Sequence, residues 1–160
     1  MSDPKQEMRD LYYLGLAESA SLRSKDPSTK TGAVIVSPRG AVIATGYNGF
    51  PQAMEDRPEL YANREEKYSR IVHCEMNALI FAQKDLTGCT LYTWPFMSCD
   101  RCVVHMIQAG IVTFVFPKAP PESLTRWGAA FEKVMSYIDE CRLERREIKV
   151  EKLLAPSSRG

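Results

Sequence analysis

The chain is predicted to be an α/β protein, because short strand-like runs alternate with helical patterns along it. Two β-branched runs at residues 32–36 and 41–46 flank a Pro- and Gly-containing turn, which indicates a hairpin. Two further runs, at 90–94 and 111–116, are separated by a segment with helical spacing of its apolar groups. Strands that alternate with helices are typical of a layered α/β architecture.

The helices are bounded by residues that stop helices. Residues 8–23 carry apolar groups at helical spacing, and the Asp26-Pro27 pair ends that segment because proline disfavours helical geometry in the residue before it. Further helices are expected over residues 73–84, 99–109 and 122–141. Residues 148–150 could add a final strand, which gives a sheet of about five strands.

A chain of 160 residues suits one domain, with a core from about 8 to 142 and a loose tail at about 155–160. Residues 52–69 are polar and charge-rich without a clear period. We expect them to form a long loop with a short helix at most. Such a loop serves either as a binding lid or as a solvated surface insertion.

Composition favours a cytoplasmic protein without a membrane or nucleic-acid partner. The formal net charge of +1 creates no global field that would attract nucleic acid or an anionic membrane. No apolar run approaches the ~20 residues that span a bilayer, and the first residues lack a signal-peptide core. Five cysteines are an odd number, which favours free thiols and metal ligands in a reducing compartment over a disulfide framework.

One histidine and two cysteines form a candidate zinc site. His73 begins one predicted helix, and Cys99 and Cys102 lie three residues apart at the start of another, so that both sulfurs share one face. The positive end of a helix also lowers thiol pKa and favours the thiolate that binds metal. Three protein ligands leave a fourth tetrahedral position open, which is typical of catalytic zinc.

The charge of this site indicates a role for Glu75. Two thiolates cancel the charge of Zn²⁺, so the centre should acidify water less than a three-histidine site, where the water pKa falls to ~7. A nearby base is then needed, and Glu75 follows His73 by two residues, whereas Asp100 should point away. A carboxylate that takes a proton from water can return it to a substrate. A Cys-x-x-Cys pair alone would also fit redox or structural zinc roles.

Several segments resemble the deoxycytidylate (dCMP) deaminases of the zinc-dependent cytidine deaminase superfamily. His-x-Glu followed by Pro-Cys-x-x-Cys is the signature of zinc nucleobase deaminases. The Arg-Ser-Lys-Asp-Pro and Gly-Tyr-Asn-Gly stretches single out the dCMP branch. The segments that carry the resemblance are residues 23–28, 32–36, 46–51, 73–78 and 107–111. The chain departs from the usual pattern at Cys74, where the family has alanine, and at Ser98, where it has proline.

The resemblance implies a three-layer α/β/α fold around a mixed sheet, and hydrolytic deamination of dCMP to dUMP and ammonia for thymidylate synthesis. His73, Cys99 and Cys102 would bind Zn²⁺, and Glu75 would transfer protons. It also implies a hexamer that is controlled by dCTP with Mg²⁺ and by dTTP. The residues expected to contact substrate are Asn48, Tyr47, Gly49, Ser24, Lys25, Arg23 and Val72.

The substrate phosphate needs cationic partners, for which arginine and lysine are suited. Arg23 and Lys25 lie near the expected pocket mouth, and further cations lie within residues 52–70. A charged surface that is merely solvated is the alternative. For function, the alternatives are deamination of a 5-substituted dCMP, of a nucleoside or of a tRNA base. The near-neutral charge of the chain disfavours the tRNA substrate. A non-catalytic zinc-stabilised interaction module would explain the three ligands but not Glu75.

Overall fold

A mixed five-stranded sheet forms the centre of the fold in a computed structural model that describes residues 3–150. Its strands are β1 (Gly32–Val36), β2 (Val42–Tyr47), β3 (Thr90–Trp94), β4 (Thr113–Pro117) and β5 (Glu144–Ile148). They lie in the order β2-β1-β3-β4-β5. β1 is antiparallel to both neighbours, whereas β3, β4 and β5 run parallel. The predicted α/β class and five-stranded mixed sheet are confirmed, although the last strand begins at residue 144.

Residues 3–150 also form six helices: α1 (Pro4–Ser21), α2 (Pro58–Ala62), α3 (Arg64–Arg70), α4 (Cys74–Ala82), α5 (Asp100–Gln108) and α6 (Pro121–Glu140). α1 begins where sequence chemistry favours it, because the Asp3 carboxylate accepts a hydrogen bond from the backbone N–H of Lys5 and Pro4 opens the first turn. None of the helices in the described residues is long and apolar enough to cross a bilayer. The predicted tail at about 155–160 lies outside the described residues.

Alternate residues of the central strands supply two separate hydrophobic cores. On one face α1 covers the sheet, and the buried residues include Leu14, Ala17, Val34, Tyr92 and Val115. On the other face α4, α5 and α6 cover it, and the buried residues include Ile35, Ala78, Leu91, Val103, Phe114 and Ile138. Helices therefore lie on both sides of the sheet, which gives three layers. The central strands are buried on both faces, as expected for strands covered twice.

A buried ion pair joins the first helix to the last strand. Asp10 of α1 is 1% exposed, and Arg146 of β5 binds both its oxygens through Nε (2.8 Å) and Nη2 (3.0 Å). The Tyr92 hydroxyl on β3 donates to the same carboxylate at 2.8 Å. A bidentate guanidinium and a hydroxyl satisfy the charge that burial would otherwise penalise.

Residues 52–70 contain two helices, whereas the sequence predicted a loop with at most one. The ring of Phe50 stacks on Tyr61 of α2 at a centroid distance of 4.0 Å. α3 is capped by the Asn63 side chain and carries an ion pair between Glu66 and Arg70 one turn apart. Caps and pairs one turn apart stabilise helices that have no apolar stripe. Neither helix could therefore be predicted from the spacing of apolar residues along the chain.

Candidate metal centre

Two helix starts bring the predicted ligands together. His73 is the N-cap of α4, Cys99 is the N-cap of α5, and Cys102 lies in the first turn of α5. Gly46 permits this placement, because an added Cβ would lie 2.1 Å from the carbonyl oxygen of Cys74 and 2.6 Å from the nitrogen of Ala78. Strand β2 therefore contacts the backbone at the start of α4 directly and fixes where His73 lies.

The geometry of the cluster fits a tetrahedral zinc ion. The Nδ1 atom of His73 lies 3.5 Å from Cys99 Sγ and 3.3 Å from Cys102 Sγ. One ligand atom from each of these residues and from Glu75 lies within 4.8 Å of all the others. Bond lengths of ~2.0–2.1 Å to nitrogen and ~2.3 Å to sulfur give an N–S separation of about 3.6 Å around tetrahedral zinc. One imidazole and two sulfurs are also the donors that zinc prefers.

The two cysteines shift each other's thiol pKa in opposite directions when no cation is bound. A hydrogen bond from the Cys102 thiol, with a further contribution from His73, lowers the pKa of Cys99 to about 4. The same bond and burial raise the pKa of Cys102. The hydrogen bond with Cys99 also raises the pKa of His73. A divalent cation bound here would displace the remaining thiol proton and hold both sulfurs as thiolates.

Glu75 lies in the first turn of α4 and is 4% exposed. Its Oε1 is 3.7 Å from His73 Nδ1, and its Oε2 accepts a hydrogen bond from Cys74 Sγ at 2.9 Å. Burial raises the pKa of the Cys74 thiol well above its usual range, and the negative charge of Glu75 adds to the effect. Asp100 points elsewhere, with its carboxylate 3.5 Å from the Lys133 ammonium. One carboxylate of the motif therefore faces the cluster.

The predicted substrate residues assemble around the turn that follows β2. Gly49 and Val72 exchange backbone hydrogen bonds of 3.1 and 2.8 Å, which places the turn beside His73. The Ser24 hydroxyl donates to the Asn48 carbonyl oxygen at 2.9 Å. The guanidinium of Arg23 lies over the Tyr47 ring, 5.7 Å from its centroid.

The Asn48 side chain already has partners in the loop that precedes β1. Its Nδ2 donates to Asp26 Oδ2 (3.3 Å) and to the Thr29 carbonyl oxygen (2.9 Å). Its Oδ1 accepts from the Thr31 N–H at 2.9 Å. The predicted contact between Asn48 and substrate would require the amide hydrogens to leave these partners, or a substrate donor to share Oδ1.

Lys25 and the cations within residues 52–70, which the sequence analysis considered for phosphate binding, differ in how free their charged groups are. Lys25 is exposed and paired with Asp56 at 2.8 Å. Arg57 faces Glu55 and Glu59, each at 3.7 Å. Lys67, by contrast, is buried on α3 and binds Asp26, so it is not available to a ligand. The sequence analysis did not predict this ion pair. The sequence does contain an Asp26-Pro-Ser turn, in which the Asp26 carboxylate accepts a hydrogen bond from the Ser28 N–H, but this turn does not indicate the partner Lys67.

The cytidine and deoxycytidylate deaminase zinc-binding region matches residues 7–118 of the chain. The chain belongs to this family of deaminases. A deaminase in the luxG 3' region of Aliivibrio fischeri is 33% identical over 132 residues, which cover 82% of this chain and 88% of that protein. The deoxycytidylate deaminase of Mus musculus is 34% identical over 111 residues, 66% of this chain and 62% of the mouse protein.

Solved structures support the fold of this deaminase. The dCMP deaminase of cyanophage S-TIM5, in complex with dCMP and dUMP, matches with a TM-score of 0.67 at 20% identity, over 92% of this chain and all of that one. RibD of Acinetobacter baumannii matches with a TM-score of 0.62 at 21% identity, over 89% of this chain and 35% of RibD. Both share the layered sheet, and at these identities the likeness concerns the fold alone.

Proposed function

We propose that this deaminase hydrolyses dCMP to dUMP and ammonia, with zinc held by His73, Cys99 and Cys102. The observation that carries the proposal is the cluster of these three residues with Glu75, whose ligand atoms lie within 4.8 Å of one another. The deoxycytidylate deaminase of Mus musculus and the probable deoxycytidylate deaminase of Caenorhabditis elegans support dCMP as the substrate. A zinc ion bound there would act as a Lewis acid toward water.

Glu75 would move the protons of the reaction. Its Oε1 faces the cluster, so it can accept a proton from the attacking water and deliver it to N3 of the cytosine ring. A C4–O bond then forms, and the second water proton passes through Glu75 to the amine as the C4–N bond breaks. Ammonia leaves, and Glu75 returns to its carboxylate form. The balance is dCMP plus water to dUMP plus ammonia.

Substrate recognition is proposed around the turn after β2, with Asn48 and Gly49 near the sugar and base, Tyr47 against the base and Val72 beside them. Arg23 and Lys25 are proposed for the phosphate, with Ser24 between them. The exposure of Arg23 and Lys25 and the position of Arg23 over the Tyr47 ring support these phosphate contacts. A planar guanidinium or an ammonium is suited to a phosphate dianion.

The proposals for assembly and regulation rest on the family resemblance, and the proposal for location rests on composition and cysteine usage. A cytoplasmic hexamer that responds to dCTP with Mg²⁺ and to dTTP is part of the proposal. Sedimentation of the zinc-loaded protein would measure the assembly, and dCMP turnover with and without each nucleotide would measure the response. A monomer whose turnover ignores both nucleotides would remove this part and leave the proposed reaction intact.

The reaction is tested by ammonia release from dCMP, 5-methyl-dCMP, cytidine and a tRNA anticodon stem. We expect dCMP to be the best substrate, and faster release from another compound would reassign it. Glu75→Gln should keep zinc but lose about 10²–10⁴-fold in turnover, the usual share of general acid–base catalysis. Asp100→Asn is the matched control and should keep wild-type turnover, since that carboxylate faces Lys133. Full activity of Glu75→Gln would refute the proton-transfer role.

The phosphate contacts need a separate comparison of two substrates. Arg23→Ala and Lys25→Ala should raise KM for dCMP more than KM for deoxycytidine, which lacks the phosphate. Equal effects on both substrates would exclude these residues from phosphate binding.

A further inference from the structure

Cys74 contacts the proposed proton carrier and has no role in the reaction as described so far. The residue is 2% exposed and follows His73 at the start of α4. Its Sγ lies 2.9 Å from Oε2 of Glu75, its neighbour in the chain. A carboxylate oxygen that is buried needs a hydrogen-bond donor, and a protonated thiol is a weak donor that can serve.

The two oxygens of Glu75 have different surroundings. Oε1 lies 3.7 Å from His73 Nδ1 and faces the cluster, whereas Oε2 is bound by Cys74. Cys99 and Cys102 become thiolates when zinc binds, and a thiolate has no hydrogen to donate. Cys74 lies outside the cluster of potential ligands, so a zinc ion bound there would leave its thiol available as the donor to Oε2.

Thr31 lies between this sulfur and the substrate turn. Its N–H donates to Asn48 Oδ1 at 2.9 Å, and its side chain is also one of the groups that act on the Cys74 thiol. Alanine at position 74 would fill most of the same space but would leave Oε2 without this donor.

We propose that Cys74 is a positioning residue, whose S–H group binds Oε2 of Glu75 and directs Oε1 toward the metal centre. The inference rests on the proposed function, because it assumes that Glu75 transfers protons. It assigns Cys74 no contact with substrate or zinc. Its effect should therefore be on turnover and not on substrate affinity or metal content.

Kinetics of two variants test the role. Cys74→Ala should lower kcat for dCMP roughly 2- to 10-fold, the factor that corresponds to one hydrogen bond of ordinary net strength. KM and zinc content should stay at wild-type values. Cys74→Ser, which restores a donor, should recover at least half of the lost kcat. Cys89→Ala is the matched control, because it removes another buried thiol outside the cluster, and it should keep wild-type kcat.

The S–H stretching band in the infrared tests the bond without any turnover. The zinc-loaded protein should show three thiols, from Cys74, Cys89 and Cys141, because Cys99 and Cys102 carry no hydrogen. The band lost in Cys74→Ala should lie at lower frequency than the band lost in Cys89→Ala. In Glu75→Gln the Cys74 band should move to higher frequency, since a neutral amide is a weaker hydrogen-bond acceptor than a carboxylate.

Each result supports or overturns the proposal. A Cys74 band at the Cys89 frequency would refute the hydrogen bond, even in a protein that proved inactive on dCMP. Wild-type kcat in Cys74→Ala, an equal loss in Cys89→Ala or no recovery in Cys74→Ser would refute the positioning role. Failure of dCMP turnover in the wild type would instead refute the proposed function, while the infrared result would still stand for the bond.

Discussion

Replacing Lys67 with methionine should destabilise the protein far more than removal of a surface lysine. The Asp26 carboxylate is 2% exposed, and Lys67 Nζ lies 2.9 Å from each of its oxygens. Removing one partner of a buried ion pair lowers the free energy of unfolding by about 3–5 kcal/mol, because the remaining buried charge is left uncompensated. Asp26 would still accept from the N–H groups of Ser28 and Thr29. We therefore expect Lys67→Met to lower the free energy of unfolding by about 3 kcal/mol, the lower end of that range.

Urea unfolding at fixed free zinc measures the effect, since bound metal adds to apparent stability. Lys25→Met is the matched control, because the Lys25–Asp56 pair has the same chemistry but Lys25 is 67% exposed. That control should cost at most about 1 kcal/mol. The double variant Asp26→Asn/Lys67→Met should be more stable than Lys67→Met alone, since no buried charge remains. If Lys67→Met costs no more than Lys25→Met, the reasoning from burial is wrong.

Three further predictions follow from other contacts. Gly46→Ala should lower the free energy of unfolding by about 3 kcal/mol, the upper end for overpacking, because the added Cβ would clash with the backbone of α4. It should also lower zinc occupancy. A variant with wild-type unfolding and wild-type zinc content would contradict this prediction. In the zinc-free protein the lowered pKa of Cys99, about 4, means that its thiolate is present above that pH and lost below it. Alkylation of Cys99 should therefore rise with a midpoint near pH 4, and a midpoint near that of an ordinary thiol would contradict it. Tyr92→Phe should lower the free energy of unfolding by about 1–2 kcal/mol, since a buried carboxylate loses a donor, and an unchanged urea midpoint would count against this.

The sheet and the ligand set could be predicted because local patterns specify them. β-branched runs predicted β1 and β3, and ligand types at recognisable spacing predicted that His73 and Cys102 would lie together. The order of the strands could not be read in the same way, since no local pattern says which edges pair. The family resemblance implied three layers around a mixed sheet, and the order β2-β1-β3-β4-β5 is known only from the structure.

The polar contacts were less predictable, because their partners are distant along the chain. Lys67 looked like one more cation of a solvated segment, and only the fold shows that it reaches Asp26, 41 residues earlier. Cys74 stood out in the sequence only as a departure from the alanine of the family, and its hydrogen bond to Glu75 depends on side-chain orientation. Sequence reasoning thus identified the residues suited to zinc chemistry but not the contacts that hold them in place.

The contact between Asp10 and Arg146 bears on how the protein is made. These partners are 136 positions apart, so a nascent polypeptide on the ribosome carries the acidic group long before the guanidinium has been synthesised. Until then the first helix cannot settle on the sheet without sequestering an unneutralised charge. Stable structure should therefore arise late, after translation has passed β5, and not stepwise from the amino terminus.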